Sequence, residues 1–263
     1  LIQTDIFLNT GSSKKICEDY IIQGYDPVPF VILADGCSSS NGTEMGSRIL
    51  CHLAKQYLRY RRDDLHSINY KKLGNWVIHN AELTIRQLGL SISCLDATLI
   101  IAYTIDNIIK LFMYGDGAIF TKEQGVIKTW KFDFTGNAPY YLSYLIDDFR
   151  HELYHNEKHD LIITTENVGE LPFESLAYDY PLEFTFQKKD MDCMMIASDG
   201  MFSFINDDPV NPRIIQTSDL ISDFMSFKTT KGEYLKRRFN KALGKLNEGG
   251  INHYDDLSVG AFI

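Results

Sequence analysis

The sequence predicts an α+β fold. Two observations carry this: most apolar runs read as strands joined to their neighbours by short turns, and the helix-like stretches fall in separate blocks. A doubly wound parallel sheet would alternate strand and helix throughout. With 263 residues, 44% of them hydrophobic, and no repeat, low-complexity tract or linker, the chain suits a single domain over residues 1–263.

Residues 19–24 (DYIIQG) and 28–34 (VPFVILA) read as two strands around the turn-like YDP. Thr43 to Arg62 has Met45, Ile49, Leu53, Tyr57 and Tyr60 at helical spacing. Lys71 to Leu88 predicts a second helix, with Leu73, Val77, Ala81, Leu83 and Leu88 on its apolar side. ATLIIAYTID, IIKLFMYGD, GAIFTKE and VIKTWKFDF follow as strands with short turns between them. Residues 140–155 predict a helix, and DLIITTE, LEFTFQ and CMMIASD predict further strands. Ser218 to Phe227 and Gly232 to Leu246 predict helices before a last strand, LSVGAFI.

The formal net charge of −9 argues against a nucleic-acid surface, since the patch YRRDD is short and balanced by its own acids. No apolar run is long enough to span a membrane. The opening LIQTDIFLNTG has no basic stretch ahead of an apolar one, so it does not read as a secretion leader; it also has no methionine, which leaves room for an upstream segment. Five widely spaced cysteines without a C-x-x-C pair predict a reduced, cytoplasmic protein.

Acids recur where strands end. Glu18 and Asp19 open one strand, Asp35 closes the next, Asp116 lies in a hairpin turn, Asp199 ends a late strand, and Asp255 and Asp256 introduce the last. Three of them precede glycine: Asp35-Gly36, Asp116-Gly117 and Asp199-Gly200. Any one Asp-Gly pair is first of all a turn. Several carboxylates at one rim are a different matter, because they cannot all ionise without a cation. Oxygen-only ligands suit Mg²⁺ or Mn²⁺. Two such ions roughly 3.5–4 Å apart can orient a water for in-line attack on phosphorus, which makes a phosphate ester the natural substrate.

The ordered set KKICEDY, FVILADG, DATLIIAY, LFMYGDG, MMIASDGMFSF and YDDLSVGAFI resembles the PP2C family of metal-dependent protein serine/threonine phosphatases, in its bacterial form. The resemblance runs over nearly the whole chain; each piece is short, and the order and spacing together carry it. It implies a four-layer α-β-β-α sandwich with two mainly antiparallel central sheets. It implies a monomer acting on a phosphoprotein, with two Mn²⁺ or Mg²⁺ ions and a third, weaker one in bacterial members. By position, Asp35 would bridge the two metals and the Gly36 carbonyl would face one of them. Asp199 and Asp255 would hold the first metal and Glu18 the second. Asp19 would be a ligand or would orient one, and Asp116 would hold the third ion. Asp35 and Asp199 would be the catalytic acids, and a metal-bound hydroxide the nucleophile.

The chain departs from the family at four positions. The phosphate-gripping arginine falls on Lys14, with Lys15 as a competitor; lysine keeps the charge and loses the two-pronged grip. The DGHGG histidine falls on Cys37, a small packing residue by its chemistry. The GDS serine is Gly117, and the closing DN is Asp255-Asp256, which adds negative charge near the metals. Ser38, Ser39 and Ser40 could cap the next helix or contact phosphate. A phospho-sensing module without turnover is the alternative that the lost arginine suggests.

HELYH, residues 151–155, matches H-E-x-x-H, a zinc pattern when His151 and His155 share a helix face and Glu152 serves as base. The extended signature wants a histidine where Leu161 stands, and His159 abuts a predicted strand. A solvated helix face is the expectation. Residues 137–186, between two acids, would hold any mobile flap.

Overall fold

A computed structural model describes residues 2–166, 173–208 and 211–263. In chain order the first half comprises β1 (Thr4–Asn9), β2 (Tyr20–Gly24), β3 (Phe30–Ala34), α1 (Thr43–Tyr60), α2 (Tyr70–Leu88), β4 (Leu99–Ile105), β5 (Ile108–Tyr114), β6 (Gly117–Glu123) and β7 (Val126–Phe134). There follow α3 (Asp148–Asn156), β8 (Asp160–Glu166), β9 (Phe173–Ala177), β10 (Leu182–Gln187), β11 (Cys193–Ala197), β12 (Phe204–Asn206) and β13 (Arg213–Ile214). The chain closes with α4 (Thr217–Phe224), α5 (Tyr234–Glu248), β14 (Ile251–His253) and β15 (Leu257–Phe262).

Two sheets stack face to face. One has the order β1-β15-β11-β6-β7-β8-β9 and the other β10-β5-β4-β3-β2; a small third sheet joins β13, β12 and β14. The paired strands in both large sheets run antiparallel. Helices α1 and α2 cover the outer face of the five-stranded sheet, and α4 and α5 cover the seven-stranded one. This is the four-layer sandwich expected.

The central strands are apolar without alternation because both of their faces are covered. In β3, Phe30, Ile32 and Ala34 pack under α1 and α2, while Val31 and Leu33 face the opposite sheet. In β11, Cys193, Met195 and Ala197 pack toward α4 and α5, while Met194 and Ile196 point inward. The sheets approach closely at Gly260 of β15, where a Cβ would lie 2.2 Å from Val31 Cγ1. Gly260→Ala should therefore cost about 1–3 kcal/mol through overpacking. Urea denaturation checks this: the midpoint should fall with the slope unchanged.

Both long helices bury part of the expected stripe, Leu53 and Tyr57 on α1 and Leu73, Val77 and Ala81 on α2, but not all of it. Met45 and Tyr60 are exposed on α1, as are Leu83 and Leu88 on α2. The buried faces run through Leu50, Ala54, Tyr57 and Leu58 on α1, and through Leu73, Val77, Ile78, Ala81 and Ile85 on α2. The helix expected over 140–155 is broken: a 3₁₀ segment over Leu142–Ile146 precedes α3, and Asp147 between them accepts the N–H of Arg150 at 3.1 Å as an N-cap. β1, which had no sequence signal of its own, pairs with β15. Residues 167–172 of the expected flap region lie outside the described residues.

Candidate metal centre

Strand register gathers the acids. Tyr20 of β2 pairs with Ala34 of β3, so Asp19 and Asp35 leave neighbouring strands at the same end. Thr98 fixes Asp35 from β4's side: its hydroxyl accepts the Asp35 N–H at 3.2 Å, and its own N–H donates to the Asp35 carbonyl at 2.8 Å. Gly36 bridges to Ala97 in the same ladder. In the other sheet, Ala197 of β11 pairs with Ala118 of β6 and Val259 of β15. Asp199 therefore emerges beside the Asp116 turn and beside Asp255 and Asp256. Only glycine fits after it, since a Cβ on Gly200 would lie 1.8 Å from the Asp256 carbonyl oxygen.

The acids form a buried, self-repelling group. Asp19 is 2% exposed, and neither of its carboxylate oxygens has a hydrogen-bond partner; nor does Asp199 Oδ1. Burial pushes the Asp19 carboxyl above its usual range. Burial, then the charges of Asp19, Asp199 and Asp116, pushes Asp35 well up. Burial, then Asp199 and Asp133, does the same to Asp116, and burial also raises Asp199. Such a group is stable in its charged form only with a cation among it.

Lys14 supplies one positive charge from the edge. Its Nζ lies 2.8 Å from Asp255 Oδ1 and 3.0 Å from Glu18 Oε2, and it also donates to Ser38 Oγ. Burial alone would lower its pKa; the bonds to Asp255 and Glu18 outweigh this and hold it above the usual lysine value. Lys15 is exposed, so Lys14 is the lysine turned toward the acids. With Glu18 and Asp255 facing Lys14, no three His, Cys, Asp or Glu side chains among the described residues stand in a coordination shell. The donor set is nevertheless all hard oxygen, and the orphaned oxygens of Asp19 and Asp199 suit a divalent cation such as Mg²⁺ or Mn²⁺.

Three further acids matter that sequence reading left unassigned or incomplete. Asp256 is buried and turned to the backbone: Oδ1 accepts the Gly11 N–H at 2.9 Å and Oδ2 the Glu18 N–H at 2.7 Å. Its charge is thus spent on two amides, which fix the segment carrying Lys14, Glu18 and Asp19. Asp133 on β7 pairs with Lys131 at 2.5 Å, and Lys131 lies 4.7 Å from the Phe202 ring centroid. The two alternate with inward-facing Trp130, Phe132 and Phe134, so they lie on the outer face of β7, from where the Asp133 charge helps to raise Asp116 and Asp199. Asp96 is buried and accepts from Ser40 Oγ at 2.7 Å, Ser143 Oγ at 2.6 Å and Arg150 Nη2 at 2.8 Å. It clamps the loop after Asp35 to the segment containing α3.

The serines do not cap α1. Its N-cap is Gly42, without a side-chain bond; Ser38 donates to Glu18 Oε2 at 2.8 Å, Ser40 binds Asp96, and Ser39 contacts Cys37 Sγ at 3.1 Å. The HELYH histidines take separate partners. His151 Nδ1 meets Tyr140 Oη at 2.9 Å, His155 Nδ1 meets Tyr178 Oη at 3.0 Å, and His159 bonds Thr135 and Glu157. They brace tyrosines and are not gathered around a metal position.

A family model described as protein phosphatase 2C matches residues 11–225. The chain belongs to the protein phosphatase 2C family. It is thus a PP2C-type phosphatase, and its fold agrees with solved bacterial members of that family. PppA, titled a key regulatory component of T6SS in Pseudomonas aeruginosa, is 13% identical with a TM-score of 0.57, the alignment covering 99% of this chain and 96% of that one. The catalytic domain of PstP, solved with two manganese ions, is 15% identical over 99% and 97% of the two chains, with a TM-score of 0.54. Stp1 from Staphylococcus aureus is 14% identical over 100% and 94%, with a TM-score of 0.55. At these identities the likeness is one of fold. No curated protein matches the sequence. Among the described residues, no helix of this PP2C-family chain is long and apolar enough to cross a membrane.

Proposed function

We propose that this phosphatase hydrolyses phosphoserine or phosphothreonine on proteins, using two Mn²⁺ or Mg²⁺ ions at the acid rim. The observation that carries the reading is the set of buried carboxylates with orphaned oxygens: Asp19 and Asp199 have no partner of their own, and Asp35 sits among three other acids. Asp35 would be shared between the ions, Asp199 and Asp255 would serve the first, and Glu18 and the Gly36 carbonyl the second. Asp19 would hold Asp35 in place or join it as a ligand, and Asp116 would serve a third ion. When bound, the ions would neutralise the rim, grip the phosphate oxygens and activate a water for in-line attack.

The residues of the chain supply the rest. Lys14, now paired with Glu18 and Asp255, would meet a phosphate oxygen as a point charge. Cys37 takes the sequence position of the family histidine and contacts Ser39, and solvent would protonate the leaving alkoxide. A non-catalytic sensing module is disfavoured because every acid of the proposed set remains, in the register that gathers it.

Hydrolysis of p-nitrophenyl phosphate tests the reading. Turnover should appear with Mn²⁺ or Mg²⁺, vanish with EDTA and be absent in Asp199→Asn. Turnover that persists in EDTA would overturn it, as would inactivity with either metal in a folded protein. A phosphopeptide then decides between protein and small-molecule phosphoesters.

A further inference from the structure

Among the described residues, a single ammonium contacts the rim and divides it. Lys14 Nζ sits between Glu18 and Asp255, which the proposed centre assigns to different ions. Among the described residues, no lysine or arginine makes such a contact with Asp19, Asp35, Asp116 or Asp199. Lys14 and Glu18 are well enclosed, at 16% and 17% side-chain exposure. Glu18 is held in this orientation from three sides: Thr43 Oγ1 donates to Oε1 at 3.2 Å, Ser38 Oγ donates to Oε2 at 2.8 Å, and Asp256 anchors its amide. The ammonium thus occupies carboxylate oxygens that a metal would need. A lysine suits this arrangement, because its single charge rides on a flexible stem and can swing away, whereas a planar arginine fork would lock the pair.

We propose that Lys14 is a tethered counter-ion which divalent cations must displace on loading, so that its ammonium becomes free for phosphate only on a loaded centre. The inference rests on reading the rim as a metal site. Its physical content is competition: the ammonium stabilises the metal-free rim, so metal binding must give up an enclosed ion pair to Glu18 and a more open one to Asp255, whose side chain is 39% exposed, before it gains its own ligands. The same event turns a residue that neutralises acids into one that binds an anion. Charge at the phosphate position then depends on metal occupancy without any backbone movement.

The test is calorimetric titration of Mn²⁺, without phosphate, into the unaltered protein, Lys14→Gln and Lys14→Met, with circular dichroism to establish that each is folded. Both variants should bind Mn²⁺ about tenfold more tightly, the loss of two partly enclosed ion pairs. A second readout uses the unaltered chain: acetic anhydride labelling followed by mass spectrometry. Lys14 should label several-fold faster with Mn²⁺ present, while exposed Lys15 serves as the unchanged reference. Equal or weaker Mn²⁺ affinity in the folded variants would overturn the proposal, as would Lys14 labelling that Mn²⁺ leaves unchanged. Failure of all three proteins to bind Mn²⁺ would overturn the metal reading and this inference with it.

Discussion

Asp35→Asn is expected to abolish phosphatase turnover, by at least about a thousandfold, while making the metal-free protein more stable by about 0.5–2 kcal/mol. Both halves follow from one fact. Burial and the charges of Asp19, Asp199 and Asp116 all oppose ionisation of the Asp35 carboxyl. An amide of the same shape removes that repulsion, and with it the oxygen that two cations would share. The sign of the pH dependence follows too. A carboxyl raised in the folded state holds its proton where the unfolded chain has lost it. Metal-free stability therefore falls as pH rises from the unfolded carboxylate value toward the folded one, and Asp35→Asn should flatten that fall. Urea melts of the metal-free proteins between pH 4 and 8, beside p-nitrophenyl phosphate assays with Mn²⁺, measure both. An active variant would remove Asp35 from the chemistry, and a less stable one would show that its charge is compensated.

Asp256→Ala is expected to cost about 2–4 kcal/mol and most of the activity, although Asp256 is assigned no metal. Its two oxygens accept the amides of Gly11 and Glu18, 245 and 238 residues away in sequence. Alanine would leave two donors unpaired, at about 1–3 kcal/mol for each that stays buried. The segment carrying Lys14, Glu18 and Asp19 would then lose its tie to β15. Asp256→Asn keeps one acceptor and should fall between the two. Chemical denaturation with a Mn²⁺ titration separates the effects, because a positional role predicts weakened Mn²⁺ binding even where the fold survives. Unaltered stability in Asp256→Ala would refute the role assigned to these bonds.

Asp35 and Asp199 could be found in the sequence because strands buried on both faces read as unbroken apolar runs, and a carboxylate closing such a run is conspicuous. The hairpins β2–β3, β4–β5 and β6–β7 were similarly legible, since their turns are short. The Asp116 turn, expected to close a hairpin of β5 and β6, instead carries the chain from one sheet to the other, and the pairings β1–β15, β11–β6 and β10–β5 join strands far apart in sequence. Asp96 and Asp133 were hidden for the opposite reason. The meaning of Asp96 depends on Ser40 and Arg150, and that of Asp133 on Asp116 and Asp199 at the ends of nearby strands of its own sheet; neither sequence neighbourhood announces a site. Asp256 was visible as an acid, but its backbone partners lie at the other end of the chain. The helical stripes went astray at Met45, Tyr60, Leu83 and Leu88 because periodicity accepts any apolar side chain, while burial also admits Gly74 and Ser47 where elements approach closely. The break at Asp147 escaped because an N-cap acid inside an apolar stretch looks like a tolerated polar position.

The place of β15 bears on how the protein is made. It lies between β1 and β11 in the seven-stranded sheet and directly follows Asp255 and Asp256. A ribosome therefore releases the strand that joins the first and late parts of this sheet only after everything else described here has been synthesised. Until then β1 has no partner in its sheet, Gly11 and Glu18 lack their acceptor, and the acid rim is short of a member. A nascent or truncated chain that stops before residue 255 would thus lack both the strand that pairs with β1 and the carboxylate that fixes the segment carrying Glu18 and Asp19.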